Sequence, residues 1–293
     1  MAIIAVTGAS GNLGGLVIEH LLTLGVDASQ IIPLVRSAEK GARFSARGLN
    51  PRVASYDDPV GFQESLKGVD KLVLISPPSL DNAIRLHQLH NAVMAAHASE
   101  LSQLVWVSLS DPEERTFGLE DVDLAIEYSV RAVGIPFTIL RNSVYLDELG
   151  PELAVAVASG ELLSVTENHT MNWAPRADQA AAIAGAITQE GHLGATYNLV
   201  SSQLYTYDEI ARLLGEATGR TITHRTAARD EVVEALARGG MNADHAKSMV
   251  DYFQKAIALG KCYTISNDIE RLSGRSGLPT AEYLAGLVKP TQD

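Results

Sequence analysis

Three glycines spaced three apart, Gly8, Gly11 and Gly14, stand between an apolar run, Ile3-Ile-Ala-Val6, and a stretch that reads as a helix. In that stretch Leu13, Val17, Leu21, Leu22 and Leu24 recur at helical spacing, and Gly25 closes it. Each glycine has a mechanical job at such a place. One lets the chain turn tightly off a strand, one lets the backbone approach a pyrophosphate, and one lets the helix pack closely on the strand. The helix then points its first amides at the phosphates. Thr7, Gly8, Ser10, Gly11, Asn12, Leu13 and Gly14 are therefore the expected dinucleotide-binding turn. A glycine-rich turn without a ligand is the weaker alternative, because Ile31-Ile-Pro-Leu-Val35 completes a β-α-β unit around it.

The end of the second strand separates the two nicotinamide cofactors. NAD usually meets Asp or Glu there, whereas NADP tends to meet Arg. Here Arg36 follows the strand, with Lys40 and Arg43 after it, and the nearest acid is Glu39. A 2′-phosphate would gain charge-assisted hydrogen bonds from Arg36, so NADPH is the expected cofactor. The alternative for Arg36 is a solvated surface residue.

Other strand ends supply further candidates. Asp57 and Asp58 follow the third strand and could contact the adenine edge. Ser76, Pro77 and Pro78 follow the fourth and could run along the adenosine and pyrophosphate. Both segments could equally be ordinary turns. Ser108 ends the fifth strand, near where a nicotinamide ring would lie, and Asn142 and Tyr145 follow the sixth. Asn142 could orient the substrate or the carboxamide of the nicotinamide. Tyr145 could stack on an aromatic substrate or donate to it, or simply close a loop. Trp173 could line the pocket, although core packing is the preferred reading. His169, His192 and His224 lack metal-ligand spacing, and no metal is expected.

These residues need a frame. Apolar strands at 2–7, 31–35, 52–56, 70–76, 103–108 and 136–141 alternate with helical patterns near 12–24, 38–47, 59–67, 82–98 and 118–133. Such alternation predicts an α/β fold, a doubly wound parallel Rossmann sheet whose ligands bind beyond the carboxyl ends of the strands. From about residue 150 the pattern loosens into helices at 178–190, 207–218, 229–238 and 243–259, with a strand at 195–200 and a short helix after Pro279. Thr206 and Glu209 read as a capping box for the second of these. The expected organisation is a cofactor domain, 1–148, and a smaller helix-rich substrate-binding cap, 149–293, some of whose strands rejoin the main sheet.

Composition excludes several classes. The 293 residues carry a net charge of −12, which argues against a nucleic-acid surface. The single cysteine, Cys262, rules out an intrachain disulfide and reads as an ordinary buried thiol. No apolar run approaches the ~20 residues of a membrane span. The chain starts on a strand of the fold, so no signal peptide is expected and a cytoplasmic setting is the simplest one. A small-molecule partner and a monomer or homodimer are expected.

Thr7-Gly-Ala-Ser-Gly-Asn-Leu-Gly14, Leu34-Val-Arg-Ser37, Val73-Leu-Ile-Ser76 and Gly134-Ile-Pro-Phe-Thr-Ile-Leu-Arg-Asn142 together resemble the NmrA-like branch of atypical short-chain dehydrogenases. Gln189-Glu-Gly-His192, Tyr197-Asn-Leu-Val-Ser201 and Thr206-Tyr-Asp-Glu-Ile210 carry the resemblance through the second half. Within that branch the likeness is to the NAD(P)H-dependent quinone oxidoreductases of type 2 and the triphenylmethane dye reductases. The resemblance implies a Rossmann domain, NADPH, a cleft under a C-terminal cap, and hydride transfer to quinones or extended aromatic cations. Two departures matter. Short-chain dehydrogenases use Tyr-x-x-x-Lys for proton transfer, but Tyr128 is followed by Arg131 and Ala132. The family usually places Lys or His four residues before the acid matching Glu127, where this chain has Asp123. Both disfavour alcohol dehydrogenation and suit an electron-poor acceptor. They also suit a non-catalytic NADP(H)-sensing regulator that binds a partner protein, a role the resemblance includes.

Overall fold

The computed structural model describes residues 2–275, 277 and 280–288. Among these residues nine strands appear in chain order: β1 (Ile4–Val6), β2 (Ile31–Val35), β3 (Arg52–Val53), β4 (Lys71–Ile75), β5 (Gln103–Leu109), β6 (Phe137–Asn142), β7 (Glu161–Ser164), β8 (Thr196–Leu199) and β9 (Thr223–Thr226). Seven of them form one sheet in the order β3-β2-β1-β4-β5-β6-β8, and every pairing in it is parallel. β7 and β9 pair, also in parallel, as a separate two-stranded sheet.

Successive strand residues point to opposite faces, and both faces are covered. Val73, Val105 and Leu140 enter one core, while Leu72, Leu74, Leu104 and Ile139 enter the other. That double burial is why these strands read as unbroken apolar runs. The first core is closed by α1 (Asn12–Thr23), with Phe44 of α2 (Ala38–Ser45) at its edge. The second is closed by α3 (Pro59–Ser65), α4 (Asn82–Ala98) and α5 (Glu120–Ala132). The fold is thus a doubly wound Rossmann-type sheet with a helix-rich C-terminal region.

Between β6 and β8 the chain makes α6 (Gly150–Ser159), β7 and α7 (Arg176–Thr188). α7 returns to the sheet and shares the first core with α1. Its run of alanines, Ala180 to Ala186 apart from Ile183 and Gly185, is fully packed away. Two sheet residues satisfy its last carbonyls: Lys71 Nζ donates to Ile187 O (2.8 Å) and Gln103 Nε2 to Ala186 O (3.1 Å). The later helices are α8 (Tyr207–Thr218), α9 (Arg229–Arg238), α10 (Ala243–Ser248), α11 (Lys255–Ile257), α12 (Asp268–Ser273) and α13 (Thr280–Val288). Together with α6 and Trp173 most of them build a third core, in which the Trp173 and Tyr207 rings meet edge to face at 5.6 Å.

Several boundaries differ from the sequence expectation. β3 stops after two residues instead of spanning 52–56, because the chain turns at Tyr56 and Asp57. The helix expected over 243–259 is interrupted by a π-helical turn, Met249–Gln254. The capping box is present: Thr206 N donates to Glu209 Oε2 (2.8 Å), and Thr206 Oγ1 accepts from Glu209 N (3.2 Å). Pro279 lies outside the described residues.

Candidate active-site cleft

The turn after β1 is built as its residue types require. Gly8 has φ +59°, a backbone state that L side chains rarely adopt. Gly11 N then donates to Gly8 O at 2.8 Å, which closes the turn. A Cβ on Gly14 would sit 2.4 Å from Gly8 O, so only glycine lets α1 pass this close to the turn. Thr7 fixes the turn to β4: its Oγ1 accepts from Ile75 N at 2.7 Å. Whereas Ser37, Asp58 and Asp81 cap α2, α3 and α4, the N-terminus of α1 has no side-chain cap. Its first amides open on the turn, a placement that can hold an anion.

This turn opens into a cleft of about 770 Å³ along the carboxyl ends of the strands. The cleft brings Thr7, Gly8, Ser10, Gly11, Asn12, Leu13 and Gly14 together with Arg36, Lys40, Asp57, Ser76, Pro77 and Tyr145. Arg36 and Lys40 are exposed and form no ion pair among the described residues. Two unneutralised cations at this end fit the charge of a 2′-phosphate. Asp57 Oδ1 accepts from Gln88 Nε2 (2.9 Å), while Asp58 serves as the cap of α3. Tyr56 forms part of the wall, its hydroxyl donating to Ile75 O at 2.6 Å.

Two candidates stand behind the wall. Ser108 is buried and donates to Glu127 Oε1 at 2.8 Å. Glu127 is in turn held by Arg141, whose Nη2 lies 2.8 Å from Oε2. Asn142 is buried, and its amide stands beside the Tyr145 hydroxyl, pulling that phenol's pKa down.

At the opposite end from Arg36, Tyr145 is joined by a residue the sequence reading missed. Arg176, at the start of α7, lays its guanidinium over the Tyr145 ring at 4.3 Å from the centroid. Its backbone N donates to Asp147 Oδ2 (2.8 Å), and its side chain pairs with Asp147 and Glu148. A parallel bridge between Tyr145 and Ala174 brings the two segments together. Burial pushes the Tyr145 hydroxyl above the usual phenol range, against the pull of Arg176, so it stays protonated. No sequence spacing linked these two residues, because they meet through an isolated bridge.

The second residue missed is Arg85 on α4. The sequence reading left the Asp123 position without a cation, but Arg85 Nη2 reaches Asp123 Oδ2 at 2.8 Å, and both side chains are buried. Burial pushes the Asp123 carboxyl up to about 6 in spite of Arg85, helped by the charges of Glu120 and Glu127. Arg85 Nη2 also donates to Ser76 Oγ at 3.2 Å. Cys262 is buried, and that burial pushes its thiol up to about 12, well away from nucleophilic use. Trp173 sits in the third core rather than in this cleft.

The same architecture occurs in known proteins. The model of the NmrA-like family matches residues 2–274. Quinone oxidoreductase 2 of Escherichia coli (strain K12) is 30% identical over 97% of this chain and 98% of its own length. The solved structure of an NADPH-dependent quinone oxidoreductase from that organism, complexed with NADPH, superposes with a TM-score of 0.87 at 30% identity, covering 98% of this chain and 100% of the other. The Citrobacter sp. triphenylmethane reductase complexed with NADP(H) gives a TM-score of 0.90 at 35% identity, covering 98% and 99%.

Proposed function

From the membership of this chain in the NmrA-like family, we propose that it is an NADPH-dependent reductase that transfers hydride to quinones or to extended aromatic, dye-like acceptors. It is an NAD(P)H-dependent oxidoreductase, and residues 1–148 hold the cofactor under a cap drawn from 149–293, part of which rejoins the main sheet. One observation carries the reading: the glycine turn, the exposed cations Arg36 and Lys40, and Tyr145 line one continuous cleft. Among the described residues no helix is long and apolar enough to cross a membrane.

The dinucleotide, when bound, supplies the hydride. The chain supplies placement. The turn and the first amides of α1 hold the pyrophosphate, and Arg36 with Lys40 holds the 2′-phosphate. Asp57, Ser76 and Pro77 flank the adenosine and pyrophosphate. Tyr145, its ring held by Arg176, stacks on the flat acceptor, and Asn142 and Ser108 back the far wall from behind. No Tyr-x-x-x-Lys pair takes part. An electron-poor acceptor needs proximity and exclusion of water more than a proton donor. A simple ketone, whose developing alkoxide needs a donor, is a poor substrate.

Two measurements test this. NADPH oxidation, followed by its absorbance against a panel of quinones and triphenylmethane dyes, should show turnover on electron-poor members and almost none on simple ketones. Separately, NADPH should bind about tenfold or more tighter than NADH, about 1.4 kcal/mol, and Arg36→Ala should erase that preference. Equal affinities in the wild type, or an unchanged preference in the variant, would remove Arg36 from the site.

A second reading, a non-catalytic NADP(H)-sensing protein that binds a protein partner, is favoured by one feature. Asp123 is tied up with Arg85, so α5 offers no free acid or base at the cleft. Binding of NADPH with no turnover on any acceptor would select it.

A further inference from the structure

We propose that Arg85 is a positioning residue that sets the polarity of Ser76, leaving the serine hydroxyl to act as a hydrogen-bond donor into the cleft. The inference rests on the reading of that cleft as the dinucleotide site. Ser76 directly follows β4, is partly exposed and lines the cleft. A serine hydroxyl has one hydrogen to give and two lone pairs to receive with, whereas a guanidinium can only give. Arg85 Nη2 therefore donates to Ser76 Oγ, 3.2 Å away, and the serine hydrogen must point elsewhere. Among the described residues nothing else bonds to this hydroxyl. Its hydrogen is left for a ligand oxygen, and a phosphate or ribose oxygen of the dinucleotide is the acceptor that the cleft presents.

Arg85 cannot swing away from this task. It is 3% exposed. Its Nη1 donates to Leu119 O (3.0 Å) and Asn82 Oδ1 (3.3 Å), and Nη2 is shared with Asp123 Oδ2 (2.8 Å). Asn82 is itself anchored by its Nδ2 on Gly118 O (2.8 Å). The donors thus tie α4 to the loop before α5. Asp123 balances the guanidinium, so the pair orients Ser76 without placing a net positive charge behind the cleft wall. Sequence could not show this, since Ser76, Arg85 and Asp123 come from three separate elements.

The test measures the dissociation constant for NADPH on the full chain, with the melting temperature as a check on folding. Ser76→Ala should weaken NADPH about three- to tenfold, the range for one lost hydrogen bond, with the melting temperature unchanged. Arg85→Met should weaken NADPH by a similar factor in the wild-type background and add nothing in the Ser76→Ala background. Arg85→Lys, which keeps a donor and a charge, should restore most of the affinity. If Arg85→Met folds poorly because Asp123 is left unpaired, the double variant Arg85→Met/Asp123→Asn removes that charge and gives the same comparison. The inference is overturned if Ser76→Ala binds as tightly as the wild type. It is equally overturned if the Arg85→Met loss is undiminished when Ser76 is already alanine. A wild-type chain that binds no NADPH would overturn the cofactor reading first, and this inference with it.

Discussion

Gly14→Ala is expected to remove NADPH binding, by about a hundredfold or more, and to destabilise the fold by about 1–3 kcal/mol. The added Cβ would lie 2.4 Å from Gly8 O, 2.7 Å from Gly8 C and 3.0 Å from Ala9 Cα. All three are backbone atoms, so no side chain can rotate to relieve the clash. Either α1 must lift from the turn or the turn must open. Both movements displace the amides that face the pyrophosphate, so several hydrogen bonds to it are lost together. Gly185→Ala provides the control. Its Cβ would lie 1.9 Å from Leu272 O, where α7 packs on α12, so it too should destabilise the chain. Yet it lies outside the cleft lining, so the folded fraction should bind NADPH as before. Calorimetric titration with thermal melting separates the two effects. Gly14→Ala binding NADPH at the wild-type affinity would show that the turn does not hold the phosphates.

Glu152→Gln should make the protein more stable than the wild type above about pH 7, by about 3 kcal/mol, and leave the two alike below about pH 4. Glu152 lies on α6, 1% exposed, with Tyr207 donating to Oε2 (3.3 Å) and the Gln254 side chain beside it. Burial pushes its carboxyl up to about 7 from an ordinary value of 4.5. The sign follows from which state holds the proton. Between those two values the unfolded chain has released it while the folded chain keeps it, so stability falls as pH rises through the window. Above the folded value the full loss is present. The glutamine keeps an acceptor for Tyr207 and has no charge to bury. Urea midpoints for both proteins at about pH 5 and about pH 8 give the difference. Asp123, pushed up in the same way to about 6, contributes equally to both proteins and cancels. Parallel curves for the two proteins would mean that Glu152 is not held protonated by the fold.

Most of the sheet was legible because double burial writes each strand as an apolar run, as in Ile31–Val35, where every residue is buried. Helix starts were legible where side chains declare them, as at Thr206 and Glu209. β9 was not, since Thr223, Arg225 and Thr226 are exposed and leave no apolar alternation to read. Within the cleft, the glycine turn and Arg36 could be found because their roles depend on local spacing. Arg176 and Arg85 could not. Each acquires its place through contacts between elements far apart in the chain, Tyr145 in one case and Ser76 with Asp123 in the other. Asn142 was legible as a position at a strand end but not as a buried amide set beside Tyr145.

The order in which a ribosome releases this chain gives α7 and β8 a further significance. β1 to β6 emerge with α1 to α5, enough to draw the sheet together and to cover one side of it. On the other side Val105, Val107 and Leu140 depend on α7 for cover, and β6 stays an open edge until β8 arrives. The nascent chain therefore passes through a stage with an apolar face and a strand edge both bare, the kind of surface that invites aggregation and chaperone capture. Completion of the sheet waits for residues beyond the first turns of the cap. The segment that closes the cleft with Arg176 is thus also the one that makes the growing polypeptide safe to release.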